Sequence, residues 1–426
     1  MTLLMDLAAA RRGNSPRGIT SVCSAHPLVI RAAARNAAKH GDTLLIEATC
    51  NQVNQFGGYT GMQPADFVAL VDRIAREERL PGERIIFGGD HLGPNPWRKE
   101  SADVAMHKAE AMVAAYVAAG FRKFHLDASM GCAGEPAALD DATTAARAAR
   151  LARAAEAAAI SAGGPAPVYI IGTEVPPPGG ADHAIAKLEP TDPAAARQTI
   201  EIHHKVFVEN GLEQAFSRVI ALVVQPGVEF GNENVVLYDR AKAAGLTRLL
   251  DEVTQFVYEA HSTDYQGRTA LRQLVEDGFP ILKVGPELTF VLREALYGLD
   301  LVATDLLPDY GDRPLCQAME RLMLAQPGYW QGHYHGSPAE QRLQRHYSFS
   351  DRIRYYWNQP EAEAAVARLL EALRGKSVPA TLMRQHLASF EVFAGVALDP
   401  EKLLVAAVQR SLDDYRFAAT GEAEAA

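Results

Sequence analysis

The chain is 426 residues long, 48% hydrophobic and 22% charged, with 52 acidic against 42 basic side chains and a formal net charge of −10. That apolar share can bury a large core, which excludes disorder as the main state. The acidic balance, with no local basic patch, excludes nucleic acid and anionic membrane surfaces as partners.

Four cysteines, Cys23, Cys50, Cys132 and Cys316, form no C-x-x-C pair, so neither a zinc ribbon nor a disulfide framework is expected. The opening MTLLMDLAAARRG places Asp6 inside its apolar run and its arginines after it, the wrong order for a secretory signal. No apolar stretch approaches the roughly 20 residues of a membrane span. A soluble, cytoplasmic protein is expected.

In chain order, β-rich runs fall at 18–26, 43–50, 84–91, 122–129, 168–175, 219–227, 256–264 and 280–287. Each has a Val, Ile, Leu or Phe core without strict polar alternation, as parallel strands covered on both faces require. Helical segments separate them. HPLVIRAAARNAAKHG ends in Gly41, PADFVALVDRIAREERLPG opens on Pro64, and SADVAMHKAEAMVAAYVAAG runs from a Ser cap to Gly120. The Ala-rich stretch from Asp140 to Ala159 reads as the helix after the fourth strand. Eight such units predict a (β/α)8 barrel over 1–300. Beyond it, RPLCQAMERLMLAQ, SPAEQRLQRHY, FSDRIRYYWN and PEAEAAVARLLEALRG have helical spacing, which predicts a helical C-terminal extension over 301–426 packed on the barrel.

Barrel chemistry sits at the C-terminal ends of the strands. Those ends deliver His26, Asp90 and His91, His125 and Asp127, Glu174, Gln225 with Glu229 just after, and Glu259 and His261. A lone histidine there is usually a hydrogen-bonded structural residue, but several imidazoles and carboxylates on consecutive strands face one point in space. Such a mixture suits a divalent zinc, manganese, cobalt or nickel ion better than an all-oxygen magnesium or calcium site.

In the loop NQVNQFGGYTGM, Asn51, Gln52, Asn54 and Gln55 offer neutral donors and acceptors suited to sugar hydroxyls, or equally to the loop itself. His26, His125 and Ser262 are counted with these sugar-binding candidates. Neither G-x-x-x-x-G-K-[ST] nor G-x-G-x-x-G occurs, which argues against a kinase. Lys123 and Lys283 lie on strands four and eight, but one is far from its strand end and the other precedes Val-Gly-Pro, which argues against a Schiff-base aldolase.

The segments CNQVNQFGGYTGM, GGDHLGPNPW, GTEVPPPGG, VVQPGVEFG, EAHSTDYQ, LKVGPELTF and YSFSDRIRYYW resemble, in order and along nearly the whole chain, those of the GatZ/KbaZ family. That family is named for the non-catalytic subunit of class II D-tagatose-1,6-bisphosphate aldolase and is distantly similar to the catalytic, zinc-dependent (β/α)8 class II aldolases. The resemblance implies that Asp90 is an acid/base and His91 a metal ligand. It further implies that His261 is a second ligand, that Asp127 matches the aldolases' fourth-strand Asp, and that Glu174 matches their glutamate near strand five.

This chain departs from the aldolases at three places. Strand six carries VVQPGVEF in place of a His ligand, leaving Gln225, Glu174 or another neighbour as third ligand. His261 leads into Ser262, Thr263 and Asp264 in place of a Gly/Ser phosphate loop, and Gly285-Pro286-Glu287 replaces an eighth-strand Asn-x-x-Thr.

The resemblance thus implies a metal-dependent enzyme acting on an unphosphorylated or singly charged ketohexose, inverting C4 of tagatose- or fructose-type sugars by retro-aldol and aldol steps. Zinc is the first choice of metal, with Asp90, Asp127 and Glu229 handling protons. The alternative is a non-catalytic partner that stabilises a class II aldolase catalytic subunit.

Overall fold

The computed structural model describes residues 2–172 and 188–422. Eight parallel strands close into a barrel: β1 (Ile19–Cys23), β2 (Leu44–Thr49), β3 (Ile85–Leu92), β4 (Lys123–Leu126), β5 (Val168–Gly172), β6 (Val219–Val223), β9 (Val257–Ala260) and β10 (Ile281–Val284). A two-stranded antiparallel ribbon, β7 (Glu229–Phe230) with β8 (Val235–Val236), interrupts the count after β6. The barrel closes where β1 pairs with β10, Ser21 standing opposite Lys283, while Cys23 stands opposite Glu47 of β2.

Local sequence explains the helices between strands. Pro27–His40 starts on a proline behind the His26 cap and stops at Gly41 in the left-handed region, and Asp141–Ala162 is capped by the Asp140 carboxylate on the Thr143 amide. Their apolar faces and the outward faces of the strands form the main core. A second core fills the N-terminal end of the barrel, where Leu4 and Leu7 of the helix Thr2–Arg12 meet Ile19, Leu45, Ile86, Val168, Ile220, Val257 and Ile281. The helix Pro400–Thr420 packs on Pro27–His40, Gly267–Glu276 and Pro286–Leu306.

One expectation of regular structure is corrected. FSDRIRYYWN has helical spacing but forms only a short 3₁₀ turn, Arg352–Tyr356. Asp351 sits in the left-handed region (φ 44°), and its carboxylate is held by the Thr289 hydroxyl at 2.6 Å and by Arg293 at 3.3 Å. These tertiary bonds fix a turn where local spacing alone favours a longer helix. No helix among the described residues is long and apolar enough to cross a membrane, and all four cysteines are free thiols.

Candidate active site

At the C-terminal end of the barrel, β3, β4 and the end of β9 bring three imidazoles together. Ring centroids are 4.9 Å apart for His91 and His125, 4.8 Å for His91 and His261, and 5.0 Å for His125 and His261. Each ring spends one nitrogen on a fixed acceptor. His91 Nδ1 donates to Asp127 at 2.8 Å, His125 Nε2 to the Gly172 carbonyl at 2.9 Å, and His261 Nε2 to Glu259 at 3.0 Å. In the neutral ring the second nitrogen then carries a lone pair, and this acceptor-backed arrangement is the one that orients metal-binding histidines. His125 Nδ1 also receives the His91 backbone N–H at a long 3.3 Å.

Asp90 completes the group: the four side chains, all buried, each offer a ligand atom within 4.8 Å of the others. Asp90 Oδ1 lies 3.3 Å from His125 Nδ1 and 3.8 Å from His91 Nε2. His91 and Ser262 adopt positive φ, 47° and 51°, a conformation uncommon outside glycine that is retained where function requires it.

Beneath this group lies a layer of charge where barrels ordinarily hold branched aliphatics. Lys123 is fully buried and bridges Glu47 and Glu259, at 2.6 Å each. Lys283 contacts Glu47, reaches Asp90 at 2.7 Å and lies 3.6 Å from Glu259. These residues come from β2, β3, β4, β9 and β10, so they can meet only inside the barrel. Gly88 makes room for them, since a Cβ there would stand 2.6 Å from the Glu47 carboxylate.

With Asp127 included, four carboxylates face two ammonium groups, an interior that accommodates a dication. Burial alone would lower the His91 pKa, but Asp90 and Asp127 outweigh it and raise it, so a metal ion at this ring competes with a proton. Burial pushes His261 down to about 3, which keeps it neutral and able to ligate. Asp90 is held well below the usual carboxylate range, its burial overcome by His91 and Lys283. The donor set fits a divalent metal ion.

A cavity of about 650 Å³ opens above the group. Its lining includes Asp90, His91, His261, Ser262 and Lys283, and also His26, Asn51 and Gln52 from the first two loops. His26 caps its helix, its Nδ1 accepting the Leu28 N–H at 3.2 Å, and Gln52 accepts the Thr49 N–H at 2.9 Å. Asn54 and Gln55 are not among the lining residues. The Asn54 amide bonds Cys50, Phe56 and Gly58 and so holds the loop in shape, and Gln55 donates to the Lys108 carbonyl.

Gln225 turns its side-chain oxygen to its own loop, accepting the N–H groups of Gly227 and Val228 at 2.8 and 2.9 Å. His125, counted above with the sugar-binding residues, stands inside the ligand group. Asp127 holds His91 and accepts the Ser129 hydroxyl at 3.0 Å. Glu229 bonds the Phe230 amide at 2.9 Å, and burial raises its pKa to about 7. Glu174 lies outside the described residues.

Sequence reasoning missed Glu47 entirely and did not connect Lys123, Lys283 and Glu259. The signal was present: LLIEAT, KFHL, VYEA and ILKV each carry a charge in an otherwise apolar strand, which burial tolerates only if the charge is paired. The C-terminal segment was also missed as a contributor, and Arg354, Tyr355, Trp357 and Asn358 line the cavity.

Asp264 gives a pH-dependent test of the site's acidic rim. Burial, then the charge of Glu287, raises its pKa to about 7. The folded chain therefore keeps a proton that the unfolded chain releases near pH 4, and this contribution to stability is lost as pH rises from about 4 through about 7. Asp264→Asn is expected to match the parent chain at pH 4 and to exceed it by about 1–3 kcal/mol at pH 8. Urea unfolding at the two pH values measures this, and an equal difference at both would show that Asp264 does not titrate in that range.

Comparison with known proteins places the chain. Residues 4–420 match the family model described as D-tagatose-1,6-bisphosphate aldolase subunit GatZ/KbaZ-like. A relative from Agrobacterium fabrum (strain C58 / ATCC 33970), named D-tagatose 6-phosphate 4-epimerase, is 63% identical over 420 residues, 99% of each chain. A crystal structure from Sinorhizobium meliloti 1021, described as a probable tagatose 6 phosphate kinase, is 55% identical with a TM-score of 0.86, covering 94% of this chain and 100% of that one. The chain belongs to the GatZ/KbaZ-like family.

Proposed function

We propose that the chain is a metal-dependent 4-epimerase that interconverts tagatose 6-phosphate and fructose 6-phosphate. The observation that carries this reading is the 63% identity, over 99% of both chains, to the relative named D-tagatose 6-phosphate 4-epimerase. The three acceptor-backed imidazoles beside Asp90 supply chemistry suited to it. The kinase description of the other relative is not adopted, because the sequence has no recognised phosphate cradle for a nucleotide.

The hydrogen on C4 of a 2-ketose is not acidic, so inversion there proceeds by breaking carbon–carbon rather than carbon–hydrogen bonding. The O4 hydroxyl loses its proton, the C3–C4 bond breaks, C4 becomes an aldehyde, and the bond electrons form a C2–C3 enediolate. The aldehyde turns its other face, the C3–C4 bond re-forms, and O4 regains a proton. A divalent ion, zinc by the donor set, would supply Lewis-acid polarisation of the C2 carbonyl oxygen and O3.

The chain's own groups divide the remaining work. Asp90 is held ionised by His91 and Lys283 and lines the cavity, and in this reading it accepts the O4 proton. Glu229, with a pKa near neutrality, hydrogen-bonds Ser262 of the cavity lining and in this reading gives and takes the second proton through that hydroxyl. Asp127 holds the His91 ring. Asn51, Gln52 and Ser262 bond the sugar hydroxyls.

Removing the metal with a chelator is expected to cut the rate of tagatose 6-phosphate conversion by about 100-fold or more, with recovery on adding zinc. Elemental analysis combined with NMR of the sugar mixture follows both. The reading fails if the metal-replete chain leaves tagatose 6-phosphate unchanged, and if it then raises the activity of a separate class II aldolase subunit, the partner role replaces it.

A further inference from the structure

Barrel enzymes commonly bind a substrate phosphate at the loops after the seventh and eighth strands and the helix N-terminus beside them. Here that place is filled by the protein's own acid. Asp264, four residues after β9, accepts the N–H groups of Gly285 and Glu287 at 3.1 and 2.8 Å, at the start of the helix Pro286–Leu306. Glu287 accepts the Tyr265 N–H at 2.6 Å and the Ser411 hydroxyl. Two carboxyl groups thus occupy the donors that a phosphate would use and leave it no free amides there.

The cations lining the cavity narrow the alternatives. Lys283 is committed to Glu47 and Asp90, and burial lowers the His26 pKa to about 4, which leaves it neutral. Arg354 lines the same cavity from the C-terminal segment, and it has no carboxylate within 4.0 Å among the described residues. Its Nη1 donates to the carbonyls of Ser350 and, at 3.1 Å, Asp351, and its Nη2 donates to the Tyr355 hydroxyl at 2.9 Å.

A guanidinium has five N–H groups, so Nε–H and one Nη2–H have no acceptor among the described residues. The guanidinium also lies over the Tyr355 ring, 4.4 Å from its centroid, and that ring packs 4.8 Å from Tyr59 of the second loop. Asn358 ties the two segments by donating to the Tyr59 carbonyl at 3.0 Å. The result is a held, planar, singly charged fork of the kind that grips phosphate oxygens in pairs.

We infer that Arg354 is the phosphate-recognition residue of this cavity, so that the C-terminal segment, and not the loops after β9 and β10, selects a phosphorylated ketose. The inference deepens the 4-epimerase reading and rests on it for the identity of the sugar.

The test compares two substrates on the full chain loaded with metal. In Arg354→Gln, the ratio of kcat/KM for tagatose 6-phosphate over that for tagatose is expected to fall by roughly 10- to 100-fold, through KM, with Arg354→Lys restoring part of it. Millimolar inorganic phosphate is expected to raise the melting temperature of the parent chain and not that of Arg354→Gln.

A ratio that stays within about twofold, or a loss shared equally by both sugars, would overturn the assignment. If the parent chain converts neither sugar, the epimerase reading fails and the phosphate titration decides alone. Stabilisation lost in Arg354→Gln then supports the site, and stabilisation equal in both chains or absent from both overturns it.

Discussion

Replacing His91 with Ala is expected to lower kcat for tagatose 6-phosphate by roughly 10³-fold or more and to strip most of the bound metal. The ring has two partners to lose: Asp127 at 2.8 Å on Nδ1, and the ligand group with His125, His261 and Asp90 on the other side. Asp127→Asn retains an acceptor but removes the charge that orients the ring, and groups in that position typically account for 10- to 100-fold in affinity or rate. The order matters more than either number. Metal content and single-turnover rates should fall further in His91→Ala than in Asp127→Asn; the reverse order would mean that Asp127 acts on the substrate directly. Full metal content and activity in His91→Ala would move the metal elsewhere.

The second large effect is on stability. Lys123→Met leaves Glu47 and Glu259 facing each other inside the barrel with only Lys283 between them, and uncompensated buried charge of this kind costs about 3–5 kcal/mol. Urea denaturation should show the loss. Adding Glu259→Gln should recover part of it, because the second change removes one of the stranded charges, and the two sites share a contact and so do not add. A cost below about 1 kcal/mol for the single variant would mean that the acids protonate or hydrate instead.

Much of the barrel was readable because its cause is local. Every predicted run overlaps a barrel strand: 43–50 contains Leu44–Thr49, and 219–227 contains Val219–Val223. Strand ends were overrun at 122–129 and 256–264, where the chain leaves the sheet into polar segments, Asp127–Ser129 and His261–Asp264, that stay largely buried at the mouth of the barrel.

The candidate site was legible only as a list of strand-end residues. Spacing along the chain placed Asp90, His91, His125 and His261 at one end of the barrel, but it could not say which ring faces which. That depends on tilt and register across strands far apart in sequence. Hence His125 was sorted with the sugar-binding residues and Gln225 with the ligands, while the structure puts His125 in the imidazole triangle and turns the Gln225 amide to its own loop. Asn54 and Gln55 show the same ambiguity, since an amide serves a backbone carbonyl as readily as a hydroxyl. Arg354 was hidden for a different reason: its segment reads as a helix, and only the bonds of Asp351 to Thr289 and Arg293 fix it as the turn that carries the arginine to the cavity.

The glycine beneath Glu47 constrains sequence change in this chain. With the glutamate in place, even an alanine at Gly88 would bring a Cβ to within 2.6–2.8 Å of three glutamate atoms. A larger residue at Gly88 would therefore have to displace the Glu47 side chain, one of the two acids that Lys123 bridges. Without Glu47, Lys123 keeps Glu259 and Lys283 keeps Asp90, but each ammonium loses one oxygen partner in a dry interior, so the two positions are coupled. The glycine and the glutamate are a matched pair across β2 and β3, and a change at either is felt at the other.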